Sequence, residues 1–240
     1  TASKADFARR LGYAASLFRE SVIDQMDAMK IKTKTLADFD LYNAAGTGFL
    51  ASITRPLLQN ELIRNGLDFV ALIRDGKDVQ IEEGEPPSEG LPRILGSICH
   101  APLTSNMFII RGEPWIFTAA EITKLRNKER IHVIFAARLS RDFADRLQRL
   151  TGAEFSLIYG GKRILTTLMD IYGKRMNDSV PNNVDSRTGD MDVRGKVHSF
   201  VREEALRGRV SDAIFLEISR KIASDTRPRK ASSRTKECTF

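Results

Sequence analysis

Between Leu67 and Ser140 the chain carries four short apolar segments, Asp68–Arg74, Asn106–Arg111, Pro114–Ile122 and Ile131–Arg138. Tight polar turns, Asp75-Gly76-Lys77 and Arg111-Gly112-Glu113, mark two hairpins. In the first segment Phe69, Ala71 and Ile73 alternate with Val70, Leu72 and Arg74, so it reads as a strand with one face buried and the other nearly so. A Pro/Gly-rich excursion from Glu82 to about Thr104 separates the hairpins. A twisted antiparallel sheet with a long loop inserted between its hairpins encloses space on one side. That shape suits small-molecule sensing. It suits catalysis less well, because the segment has few groups able to act as acid, base or nucleophile.

The residues before this sheet read as helical to about position 64. Phe7, Leu11, Ala14, Phe18, Val22, Met26 and Met29 recur at threes and fours and line one helix face, while Arg9, Arg10, Arg19, Glu20, Asp24 and Lys30 fall mostly on the other. A helix of about 30 residues is roughly 45 Å long, more than a small core requires. Its length and heptad-like spacing suit a stalk or dimer helix, and plain packing is the bland alternative. The stretch Asn43-Ala44-Ala45-Gly46-Thr47-Gly48 weakens it, since two glycines cost roughly 1 kcal/mol each. Leu50, Ile53, Leu57, Leu58, Leu62 and Ile63 resume the pattern, with Pro56 expected in the first turn of a fresh helix.

After the first sheet, Ser140 is expected to cap a helix through Arg149 that buries Phe143, Leu147 and Leu150 and stops at Gly152. Glu154–Tyr159 and Arg163–Leu168, joined at Gly160-Gly161-Lys162, form a hairpin. Residues 170–192 are polar and read as loop, followed by strands at Gly195–Glu203 and Val210–Ile218. From Thr226 there is no apolar pattern, and residues 227–240 are expected to be a disordered basic tail.

Charge narrows the partners. The net charge of +7 is concentrated at the end, where residues 220–240 hold seven Lys/Arg against two acids. The other 219 residues carry only +2, so the folded part is not built to bind phosphates. The 42% hydrophobic content supports a real core. No apolar run approaches the roughly 18 residues that cross a bilayer. The chain starts at Thr1, as expected for a piece of a longer protein. Cys99 and Cys238 are too few for a disulfide framework or a structural zinc site, and their pairing stays open.

Several phrases resemble a known group: Gly66-Leu67-Asp68-Phe69-Val70-Ala71-Leu72-Ile73 after the long helix, Trp115-Ile116-Phe117-Thr118-Ala119-Ala120, Val133-Ile134-Phe135-Ala136-Ala137-Arg138 and Leu150-Thr151-Gly152-Ala153-Glu154. They are similar to the extracytoplasmic double Cache sensor regions of bacterial transmembrane receptors, over about residues 1 to 226. The ending Ile214-Phe215-Leu216-Glu217-Ile218-Ser219-Arg220 is similar to the last strand of such domains. The resemblance implies an α+β fold with a long N-terminal helix and two PAS-like antiparallel sheets, membrane-distal larger and membrane-proximal smaller. Its units would be a helical stalk at 1–65, a first sheet at 66–140, a linking helix with a second sheet at 141–226, and the tail. It implies a periplasmic portion of an inner-membrane receptor whose output is a histidine kinase, a nucleotide cyclase or a chemotaxis transducer. Amino-acid-binding members carry an Arg, aromatic and Asp pattern around the distal pocket. Arg111-Gly112-Glu113-Pro114-Trp115 matches it loosely, with no matching Asp after it.

The candidate ligand residues are His100, Phe108, Arg111, Trp115, Phe117, Thr118 and Phe135. The aromatics would wall the cavity, and Arg111 or Thr118 would anchor a polar group, Arg111 by presenting a planar fork to a carboxylate. The expected partner is an organic acid or amino-acid-like molecule, with a homodimer through the first helix, no nucleic acid and no cofactor. Adjacent Cys99 and His100 point to opposite sides of an extended segment and do not form a nucleophile–base pair. His100, His132 and His198 lie in separate elements without metal spacing, and Asp185, Asp190 and Asp192 lack the terminal Glu of a calcium loop. Gly160-Gly161-Lys162-Arg163 lacks phosphate-loop spacing. The reading is therefore non-enzymatic. The alternative is a cytosolic interaction or nucleic-acid-binding protein working through the basic tail, with salt-dependent binding that is lost when residues 220–240 are removed.

Overall fold

The structure is a computed structural model of the whole chain and describes residues 2–40, 51–87, 89–122, 130–170, 172–176, 188–193, 196–204 and 215–221. Helix α1 (Ala2–Thr35) continues into a wider π-helical turn at Leu36–Asp40. At about 1.5 Å per residue it runs roughly 50 Å. The apolar stripe from Leu11 through Ala14, Phe18, Val22 and Met26 to Met29 is buried, as its spacing predicts, and it is buried against the chain's own sheets. That contact answers the choice between packing and pairing for this face: it is a core face. The glycine stretch at 43–48 lies outside the described residues.

Helix α2 (Ala51–Asn65) places Pro56 in its interior rather than in the first turn. The ring forfeits one backbone hydrogen bond, and the five residues ahead of it still close the first turn. Leu58 is buried, while Ile63 is left 79% exposed. Arg55 and Gln59 both reach the Glu83 carboxylate, the second at 3.0 Å, and tie this helix to the sheet edge.

The first sheet is built from β1 (Phe69–Arg74), β2 (Asp78–Gly84), β3 (Leu103–Ile110), β4 (Glu113–Glu121) and β5 (Ile131–Arg138), in the order β2-β1-β5-β4-β3 with all neighbours antiparallel. Both expected hairpins form. Arg111 and Gly112 turn the second with φ of 51° and 77°, so Ile110 sits opposite Glu113. Two successive positive φ values give the turn whose twist matches that of the flanking strands. The excursion is not wholly irregular: it contains the last three residues of β2 and helix α3 (Leu91–Ile98).

Both faces of this sheet are covered. Met107, Ile116, Val133 and Phe135 face α1, and Val70 and Leu72 continue the same core beside α2. Phe69, Ala71, Ile73, Phe117, Ala119, Ile134 and Ala136 face α3, which sets Ile94, Leu95 and Ile98 against them. On the α1 side one polar link spans the core. The hydroxyls of Thr33 and Thr118, both fully buried, lie 2.6 Å apart, and Thr33 also donates to the Met29 carbonyl at 2.7 Å.

Helix α4 (Arg141–Thr151) starts where Ser140 Oγ accepts the Phe143 N–H at 3.3 Å and ends at Gly152, in the left-handed region, as the capping pattern predicts. Ala144 and Leu147 carry its buried face. Leu150, expected inside, is 70% exposed in the last turn before the stop. The second sheet contains β6 (Glu154–Tyr159), β7 (Lys162–Thr166), β8 (Thr188–Val193), β9 (Lys196–Glu204) and β10 (Phe215–Lys221), in the order β7-β6-β10-β9-β8. It repeats the first sheet's order, with each strand no longer than its counterpart. β8 occupies a stretch read as loop, because its Thr-Gly-Asp composition hides an edge strand. The tail from residue 222 lies outside the described residues.

Candidate functional site

The α3 side of the first sheet is where the chain brings aromatic and charged groups together. Trp115 and Phe117 are two apart on β4 and so share this face. Phe117 meets Phe108 of β3 edge-on at 5.7 Å and the Trp115 ring at 6.1 Å. Arg111 closes the row from the β3–β4 turn. A non-glycine residue in the left-handed region costs about 1–2 kcal/mol, and at this turn position Asn, Asp or Gly would carry less strain. The strained residue is the one with the planar donor fork.

Arg111 is not free. Its guanidinium holds the Glu89 carboxylate, from the loop that leads into α3. That contact depresses the Glu89 carboxyl below its ordinary range and raises the Arg111 guanidinium. Two open cavities flank the pair. One of about 440 Å³ is lined by Glu89, Arg93, Phe108, Arg111 and Tyr159. The other, about 210 Å³, lies among Pro86, Pro87, Arg111, Trp115 and Arg138. The first is within the range of small-molecule sites.

A second arginine braces the site from β5. Arg138 sits over the Trp115 ring at 5.4 Å, and Nε and Nη2 reach Asp68 Oδ1 at 2.8 and 2.6 Å. Its backbone N–H also donates to Asp68 Oδ2 at 2.7 Å. Two guanidinium donors converging on Oδ1, with the backbone N–H on Oδ2, fix the guanidinium that lies over the indole.

Four of the seven residues singled out from the sequence, Phe108, Arg111, Trp115 and Phe117, meet here. The structure does not bring the other three into the same space. Thr118 and Phe135 alternate to the opposite face, where Thr118 bonds Thr33 and Phe135 packs in the α1 core. Period-two alternation alone separates Thr118 from Phe117. His100 is exposed beyond α3, with Nδ1 against the Ser97 carbonyl. Sequence reasoning missed Glu89, Asp68 and α3 itself, although Leu91, Ile94, Leu95 and Ile98 fall at helical spacing.

The Cys99 thiol is buried beside this face, and burial pushes its pKa up to about 12. A thiol held protonated is a poor nucleophile. A third and larger cleft, about 770 Å³, separates the two sheets and is lined by Arg138, Arg141, Lys162 and Arg175 among others. Arg175 is clamped bidentately by Asp145 at 3.0 and 2.7 Å.

The chain matches no protein-family model and no curated protein. Solved structures do match. The periplasmic domain of Vibrio cholerae LuxQ is similar over 88% of this chain and 98% of that one, at 10% identity with a TM-score of 0.62. The ligand-binding domain of the Pseudomonas fluorescens chemoreceptor CtaA, in complex with L-serine, is similar over 91% and 98%, at 14% identity and a TM-score of 0.56. The sensor domain of the V. cholerae histidine kinase DctB covers 92% and 98%, at 8% identity and 0.56. The chain therefore has the fold of these sensor domains, the arrangement of two sheets on one long helix that its resemblance to the double Cache group implies.

Proposed function

We propose that this chain is the extracytoplasmic, non-enzymatic sensing domain of a bacterial transmembrane receptor, and that it binds a small carboxylate on the α3 side of the first sheet. The observation that carries the reading is Arg111, a strained arginine between two cavities whose present partner is an internal carboxylate on a loop. A ligand carboxylate would take the place of Glu89 on the same fork. The loop and α3 would then settle differently over Phe108, Trp115 and Phe117. Binding works here as a population shift, which needs roughly 5.5 kcal/mol of differential affinity to run from 1:99 to 99:1. The fold likeness to receptors supports the class, and the CtaA complex with L-serine supports an amino-acid-like ligand by analogy. The signal would leave through α1, which packs on both sheets.

Thermal-shift and calorimetric screening of L-amino acids and organic acids tests this. A binder at 100 times its Kd should stabilise the domain by about 2.7 kcal/mol. Arg111→Ala should weaken that binder at least tenfold, and Glu89→Ala should tighten it by removing the internal competitor. A panel with no binder, or a binder indifferent to both substitutions, sinks the proposal.

Dimerisation is part of the same reading, with a changed geometry. The buried stripe of α1 is occupied, so a second copy would meet the outer face, where Tyr13 and Ile31 are 67% and 68% exposed beside Glu20 and Asp24. Light scattering should then show a dimer that Tyr13→Glu with Ile31→Glu converts to monomer. An unaltered mass would place any dimer elsewhere.

A further inference from the structure

His132 lies on β5 two residues before Ile134, so it faces the α3 side of the first sheet. It is 1% exposed, and neither ring nitrogen has a hydrogen-bond partner among the described residues. A neutral imidazole carries one donor and one acceptor, and leaving both unmet in a core is costly. Nothing in the ligand reading uses this side chain.

The groups around it come from every neighbouring element. Glu121 of β4 stands directly opposite His132 in register, and Ile73 of β1 flanks it on the other side. Arg130, just ahead of β5, holds Glu121 through Nε at 3.3 Å and Nη2 at 3.0 Å. Asp75, in the β1–β2 turn, accepts the Arg130 backbone N–H at 3.2 Å. Cys99 closes α3, its thiol neutral, and the Ala101 backbone beyond it lies near the imidazole without completing a bond. Burial keeps the ring's pKa below its ordinary value, with Arg130 pushing the same way and Glu121 and Asp75 opposing.

We propose that His132 makes the first sheet acid-sensitive: when it takes a proton it draws the Glu121 carboxylate away from Arg130 and loosens α3 and the 99–102 connection from the sheet. An imidazolium has two donors and a charge, and among the described residues no acceptor is placed to bond it as the ring now stands. Both carboxylates that act on the ring already serve Arg130, Glu121 at its side chain and Asp75 at its backbone N–H, so protonation brings in a second cation to compete for them. The proposal is independent of any carboxylate ligand.

The sign follows from the proton count. Above the unfolded value of about 6.5 the ring is neutral in both states and the contribution is complete. Below it the opened state binds the proton first. The open population therefore rises as pH falls towards the lower closed-state value, by at most about tenfold per pH unit for one proton.

Hydrogen exchange of the full chain, corrected for intrinsic rate, tests this between pH 7.5 and 5. Protection of residues 91–102 should fall by up to about tenfold per unit below about pH 6.5 and stay flat in His132→Leu. His100→Asn should leave the wild-type profile unchanged. Imidazole NMR on the wild-type chain decides the matter should His132→Leu fail to fold. His132 should titrate below the ordinary histidine range, and the fall in α3 protection that starts near about pH 6.5 should level off where it does. Flat protection in the wild type, an equal slope in His132→Leu, or titration at the ordinary value with α3 unmoved would overturn the proposal.

Discussion

Phe18→Ala should remove about 3–5 kcal/mol of stability, the usual cost of emptying a fully buried phenylalanine site. Phe18 is 1% exposed and stands where α1, α4 and the second sheet converge. Its ring stacks on Phe155 of β6 and meets Phe143 of α4 edge-on, both at 5.8 Å. Such aromatic pairs add about 0.5–1.5 kcal/mol beyond the area they bury, so the upper half of the range is expected. For a chain of this size that lowers Tm by about 10 °C. Urea titration should show an earlier midpoint at unchanged slope. A loss below about 1 kcal/mol would mean that the second sheet does not depend on α1 for its core.

Gly84→Ala should be of similar severity for a different reason. Gly84 ends β2 with φ of 88°, and a Cβ there would lie 2.3 Å from the Asp68 carbonyl oxygen and 2.7 Å from Leu62 Cδ1. The leucine can yield, but the carbonyl is backbone and already accepts the Glu85 N–H at 2.8 Å. Relief requires β2 to part from β1, at a cost of about 3 kcal/mol from clash and dihedral strain together. The damage should reach the site, because Asp68 grips Arg138 and Arg138 covers Trp115. Trp115 is the only tryptophan, so its emission reports this directly. Gly12→Ala is the contrast: nothing lies within 4 Å of its Cβ in the middle of α1, and the change should stabilise by up to about 1 kcal/mol. Equal effects at both glycines would refute the close-approach account.

How much of this was legible depended on which physical signal each element carries. Helix α1 declared itself because a stripe of seven apolar residues at helical period has no other use. The strands of the first sheet showed through turn chemistry, since Asp75-Gly76 and Arg111-Gly112 supply the positive φ that hairpins need. Ser140 and Gly152 marked the two caps of α4, which runs on past the expected Arg149 to Thr151. Helix α3 was hidden because Pro92 and Gly90 read as breakers. At the start of a helix both are permitted, the glycine as N-cap and the proline in the first turn. The second sheet was only half visible, since β8 is an edge strand of mixed polarity. The site was legible as composition and not as geometry: Phe108, Arg111, Trp115 and Phe117 converge. Glu89 and Asp68 entered only when the loop and the strand edge were folded against their arginines. No local pattern in the chain marks pairs separated by 22 and 70 residues.

Strand β4 is a partition shared by two rooms. Trp115 and Phe117 furnish one side, while Ile116 and the hydroxyl of Thr118 are fastened to the other, where Thr33 sits near the end of α1. Neighbouring residues on one pleated backbone cannot be displaced singly. If the proposed ligand presses on the indole side, the shortest route to the last turns of the rod behind it is a single peptide unit long.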